Sequence, residues 1–149
     1  MLSLVNLTVT AATAFGLVLV GGGLYEFLVV DPAWPTKPEI VQPDRGGISR
    51  RRFWIPAHCV FELLLIAAIW HAFSVPDARF WLLTALLSHG SMRIWSAFDF
   101  IPKAVVFEKA QSVDPEAARK WSRRSRWRFP LDVVTCVSLF SALWAVYRG

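Results

Sequence analysis

Charge is scarce in this sequence: Asp, Glu, Lys and Arg make up 18% of its 149 residues, against about a quarter in an ordinary soluble domain. Cysteine is scarcer still. Cys59 and Cys136 stand alone and far apart, with no Cys-x-x-Cys, which excludes a disulfide framework and a quinone-linked thiol relay. No glycine-rich phosphate loop and no nucleophile elbow occur, so nothing encodes nucleotide handling or a hydrolase of that build. No internal repeat or low-complexity tract stands out. The net charge is +5, and the basic run 119–128 is interleaved with Trp121 and Trp127, a composition shared with RNA-binding segments. These residues border an apolar block, however, where cationic and aromatic side chains anchor helix ends and meet anionic lipid. Nucleic acid is therefore not an expected partner.

What the chain has in excess is apolar surface, 55% of residues, gathered into four blocks at about 4–30, 53–73, 80–101 and 127–147. Each matches the roughly 20 residues needed to cross a bilayer core of about 30 Å. The expected fold is all-α, a single transmembrane domain over 1–149 built as a polytopic four-helix bundle. The first block lacks a basic leader and is too long for a signal-peptide core, so it is expected to be retained. Gly21, Gly22 and Gly23 are expected to let helix backbones approach. Most of the 16 basic residues fall in 31–52 and in 102–126 with its flank. The positive-inside rule then places both loops in the cytoplasm and both termini outside, as for a multi-pass protein of a bacterial inner membrane. The proline-rich 31–52 loop cannot be regular helix and serves as a connector or as a lid. In the second loop Asp114-Pro115-Glu116 reads as a helix start with Asp as cap. That helix is amphipathic and runs into the fourth block, with a kink at Pro130.

Ionisable groups at membrane depth are costly and mark interior or functional positions. Glu26, His58, Glu62, Arg93, Asp99 and Asp132 all fall in the cytoplasmic half. At about 1.5 Å per residue, His58 and Glu62 lie roughly 8 and 13 Å in from that side. His58 and Glu62 are four apart and share a helix face, as do Arg128 and Asp132. On the third block His89, Arg93, Ser96, Asp99 and Lys103 form one polar stripe. A polar cavity between the helices is expected. A histidine beside a carboxylate can move protons. The plainer alternatives are that Arg93 neutralises Glu26 or Glu62, that Asp132 pairs with Arg128, and that Lys103 and Arg128 snorkel to the interface. Glu26, His58, Glu62 and His89 also offer two carboxylates and two imidazoles. But the order His-x-x-x-Glu occurs once, unlike the paired Glu-x-x-His of di-iron bundles. No metal is expected, and no cofactor is specified.

Tyr25-Glu26 followed by Pro32-x-Trp34, the exit Phe100-Ile101-Pro102, and the run from Arg119-Lys120-Trp121 to Trp127-Arg128 together resemble the anthrone oxygenase-like family of small four-helix membrane proteins. The resemblance covers most of the chain; Lys103 and Ala104 stand where that family usually has Asn. It implies oxidation of a polycyclic, lipophilic anthrone to a quinone. In such a reaction His58 would be the base, Glu62 its orienting partner and Arg93 the stabiliser of the developing oxyanion. Tyr25, Glu26, Trp34, His89, Asp99 and Asp132 would line the ligand. The expected partners are the lipid bilayer, a lipophilic small molecule, anionic lipid at 119–128, and a second copy if the protein is a homo-oligomer. Other classes stay open. A membrane glutathione transferase-like enzyme has a similar build, although Cys59 replaces the Asn of its Asn-x-x-Glu motif. A proton-coupled exporter would use Glu26, and an accessory subunit would turn the third-helix stripe to a partner.

Overall fold

The computed structural model describes residues 3–148, which form four helical rods joined by one long and two short connections. Rod α1 is Leu4–Tyr25, carried on through Glu26–Val30 and Asp31–Ala33. Rod α2 is Arg50–His71. Rod α3 is Pro76–Trp95, carried on through Ser96–Phe100 and Ile101–Lys109. Rod α4 begins as Pro115–Ser125, tightens over Arg126–Arg128 and ends as Phe129–Arg148. Ser3 caps α1 by accepting from the Asn6 amide. Asp114 caps α4, accepting from the amides of Glu116 and Ala117, as the sequence predicts. The irregularity expected at Pro130 is taken up just upstream, in the tight 3-10 turn Arg126–Arg128.

Both α1 and α3 contain a wide π turn, over Glu26–Val30 and Ser96–Phe100. Each is followed after one residue by a proline, Pro32 or Pro102. A proline ring clashes with the carbonyl four residues back and supplies no amide. Opening the preceding turn relieves that clash without ending the helix. The two rods can therefore continue straight into the loop end of the molecule.

Three helices, Leu4–Ala33, Arg50–His71 and Pro115–Arg148, are long and apolar enough to cross a membrane. The block 80–101 is not among them, because His89, Arg93, Asp99 and several serines dilute its apolar residues. Large apolar side chains nevertheless cover the outside of all four rods. Trp70, Leu87 and Phe98 are 80%, 73% and 85% exposed, an arrangement that water penalises and lipid favours.

Rod α1 packs closely on α2 and on α4, and α4 packs closely on α3; the α2–α3 seam is the loosest of the four. The core between them is Val9, Ala12 and Leu19 of α1, Phe61, Leu65 and Ala68 of α2, Ala78, Leu82 and Ala85 of α3, and Leu139 and Ala142 of α4. Small residues alternating with large ones let the rods interdigitate. The tightest approach is at Gly16, where a Cβ would sit 2.6 Å from Leu139 Cδ1. Of the three glycines expected to mediate packing, only Gly22 meets a neighbour, Phe53, while Gly21 and Gly23 face open space. They lie on a face that turns away from the other rods.

At the loop end a second core gathers Val30, Trp34, Val41, Phe100, Ala118 and Trp121. The long connection folds over it. Gln42 Nε2 donates to the carbonyls of Phe107 and Ala110, each at 2.9 Å, and Ile48 N donates to Ile40 O at 2.8 Å. Gly47 is required in this fold-back, since a Cβ there would fall 2.0 Å from the Glu39 carbonyl oxygen. The connection is thus a packed cover, not a slack linker.

Candidate functional site

Two helical turns face one another across the α2–α3 seam. On α2, His58 and Glu62 lie one turn apart; on α3, His89 and Arg93 do the same. Because residues four apart share a helix face, each rod presents one imidazole and one charged group to the other. Arg93 Nε donates to Glu62 Oε1 at 2.9 Å. His89 Nε2 approaches that same oxygen at 3.4 Å, and Oε2 accepts no hydrogen bond among the described residues. The His58 and His89 rings stand 5.4 Å apart. Trp54, one turn before His58, stacks on it at 5.4 Å, and Phe61 meets His89 edge-on at 4.7 Å. The histidines are buried, whereas the Glu62 and Arg93 side chains are 40% and 36% exposed. The centre therefore has an apolar, aromatic floor and an open, charged rim.

The α2 pair does not bond to itself, although its four-residue spacing allows it. The Glu62 carboxylate crosses to α3 because a full positive charge lies there, whereas the imidazole one turn back on its own helix is a weaker partner. Glu62 thus orients His89, and Arg93 is occupied by Glu62. The ligand-capable atoms of His58, Glu62 and His89 still lie within 4.8 Å of one another. His58 Nδ1 is buried with no hydrogen-bond partner.

The other expected site residues belong elsewhere. Glu26 pairs with Arg50, Nε to Oε1 at 3.2 Å. The Arg50 guanidinium also reaches Asp31 at 3.9 Å and stands 5.2 Å from the Trp34 ring and 5.5 Å from that of Trp121. Trp34 is fully buried in this second cluster, its Nε1 donating to Ser122 Oγ at 3.1 Å and to Asp31 Oδ1 at 3.3 Å. The long connection brings Arg50 back beside the end of α1, so Glu26 is neutralised there and contributes nothing to the histidine centre. Asp99 forms a rim cluster with Lys103 and Arg124. Arg128 turns to Ser96 Oγ at 2.7 Å and to the Ser125 carbonyl at 3.3 Å. Asp132 has no ion pair among the described residues: Ser96 on the adjacent rod lies within the arginine's reach and takes its donor. Tyr25 is exposed, 59% accessible on the outer surface of α1.

Arg50, Asp31 and Ser122 were not singled out from sequence. Arg50-Arg51-Arg52 looks like a topogenic charge cluster. Three consecutive residues at a helix start nevertheless point about 100° apart. One of them is bound to face the neighbouring rod.

The histidine centre therefore holds a carboxylate between a guanidinium and an imidazole and offers three donors of the kind that bind metals. Compared with family models, with curated proteins and with solved structures, the chain matches none.

Proposed function

We propose that the protein crosses a bacterial inner membrane four times, with both connections at the loop end in the cytoplasm, and that it binds and oxidises a lipophilic, polycyclic or quinone-like small molecule at the His58–Glu62–His89–Arg93 centre. The observation that carries this is the position of the centre. It occupies the one seam that the rods leave loose, with a charged rim open to the outside of the bundle and aromatic residues beneath. A ligand dissolved in the bilayer enters sideways between α2 and α3 and rests on Trp54, beside the Glu62–Arg93 rim. Its acidic C–H or O–H meets His58, whose unpartnered Nδ1 takes the proton, and the Arg93 guanidinium balances the resulting anion. Dioxygen is the oxidant. For an anthrone-type substrate the ring methylene becomes a carbonyl, one oxygen atom entering the product and the other leaving as water with the two hydrogens. The resemblance to anthrone oxygenase-like proteins points the same way.

The pairing of Glu26 with Arg50 weighs against an exporter that cycles protons through Glu26. The 119–128 segment, with Trp127 exposed beside its arginines, sits where anionic lipid would hold the helix end.

The test is equilibrium binding to the full chain in lipid nanodiscs, using anthrones and lipophilic phenols as probes and tryptophan quenching as the readout, since Trp54 stacks on His58. Saturable binding that weakens at least about tenfold in His58→Ala, a loss of roughly 1.4 kcal/mol, is expected. Equal binding by wild type and by both His58→Ala and Arg93→Gln would overturn the assignment.

A further inference from the structure

We propose that His58, Glu62 and His89 form a binding site for a divalent first-row transition-metal ion. The inference rests on the same centre as the proposed function for its location only, and would hold for a protein that oxidised nothing; with an ion bound, His58 is a ligand and takes no proton. Three observations carry it. The three potential ligand atoms all lie within 4.8 Å of one another. Two come from one helix at a four-residue spacing and the third from the facing helix, so the set closes only when the rods are assembled. His58 Nδ1 is buried without a partner, in a residue 8% exposed, and an orphaned buried nitrogen calls for an explanation that a ligand supplies.

The chemistry of the donor set is selective. Two imidazoles and one carboxylate suit zinc, iron or cobalt and are poor ligands for magnesium or calcium, which prefer oxygen. Bonds of about 2.0–2.2 Å place neighbouring donors of a tetrahedral ion roughly 3.3–3.5 Å apart. The three side chains would draw inward by about 1 Å to reach that, a movement the loose seam permits. Glu62 is already oriented for it: Arg93 engages Oε1, leaving Oε2 for the ion. Groups that hold a ligand from behind in this way tune metal affinity strongly. Three protein ligands leave at least one coordination position open, as in catalytic sites, and here it would face the seam.

The experiment uses the full chain in nanodiscs, stripped with chelator and titrated with Co2+ alone, then with Zn2+. The expected result is one Co2+ per chain with visible absorption bands of low-coordinate cobalt, bleached by Zn2+. Affinity should fall by at least about tenfold in His58→Ala and in His89→Ala. X-ray absorption on the wild-type cobalt form, which needs no variant to fold, should show two imidazoles. The inference is overturned if no saturable binding occurs below about 100 μM, if binding persists in both histidine variants, or if the absorption spectrum shows no imidazole. Binding of an anthrone probe to the metal-stripped protein is measured in parallel. Probe binding without metal binding sinks this inference and leaves the proposed function, and the converse result does the reverse.

Discussion

Replacing Arg93 with glutamine in the metal-stripped protein asks whether the α2–α3 seam lies at membrane depth. Arg93 and Glu62 meet at 2.9 Å, which places their charge centres about 4 Å apart. At an effective dielectric constant of about 20 two unit charges at that distance attract by about 4 kcal/mol, and in bulk water by about 1 kcal/mol. Both side chains are more than a third exposed, so what fills the open rim decides between the two values. Exposed pairs in water contribute about 0–1 kcal/mol, whereas a charge stranded in a low-dielectric site costs about 3–5 kcal/mol. In a bilayer Arg93→Gln is therefore expected to destabilise by about 3–4 kcal/mol, since His89 alone remains beside Glu62. The double variant with Glu62→Gln removes both charges and should recover most of that loss. Reversible unfolding in mixed micelles, run as a double-mutant cycle, measures it. A cost below about 1 kcal/mol with negligible coupling would mean that the pair is bathed in water, and would refute the placement.

The remaining expectations concern packing and orientation. Gly16→Ala pushes a methyl into Leu139 and should lower stability by about 1–3 kcal/mol, while Gly21→Ala and Gly23→Ala, which meet nothing within 4 Å, should leave the melting temperature unchanged. Trp34→Ala empties the second core and should cost about 3–5 kcal/mol locally, seen as rapid trypsin cleavage at Arg45 in a protein whose four rods stay folded. Gly47→Ala, whose new methyl would overlap the Glu39 carbonyl, should release the same loop to trypsin. With Cys59 and Cys136 replaced by serine, a new cysteine at Gln111 should react with impermeant maleimide only from the cytoplasmic side. One at Ser74 should react only from outside, and the opposite pattern would reverse the orientation.

Much of the architecture was legible because it rests on local signals. The apolar blocks mark the rods, Asp114 announces the start of α4, and Pro35, Pro38 and Pro43 keep the connection out of α-helix, although the rods run further into 31–52 than expected, to Ala33 through Pro32 and from Arg50. The histidine centre was half legible. A four-residue spacing puts His58 with Glu62 and His89 with Arg93, but it says nothing of which rods face each other. The carboxylate's choice of Arg93 over His58 therefore had to await the structure. Glu26 and Trp34 were misplaced for a related reason. Their partners, Arg50 and Ser122, come from distant parts of the chain, and only the folded connection brings them together. The π turns before Pro32 and Pro102 also escaped, because a proline there signals a break as readily as a widened turn. Weak periodic signals on a mostly apolar rod do not show which glycine touches a neighbour: Gly16 and Gly22 do, and Gly21 and Gly23 do not.

The most direct test is mass spectrometry of the full chain extracted gently from the membranes of the cells that make it. A lipophilic aromatic molecule should accompany the wild-type protein, and should be missing from His58→Ala and Glu62→Gln preparations that remain folded by circular dichroism. A wild-type protein that carries no such molecule, or variants that carry it equally, would contradict the claim that the α2–α3 centre is a ligand site.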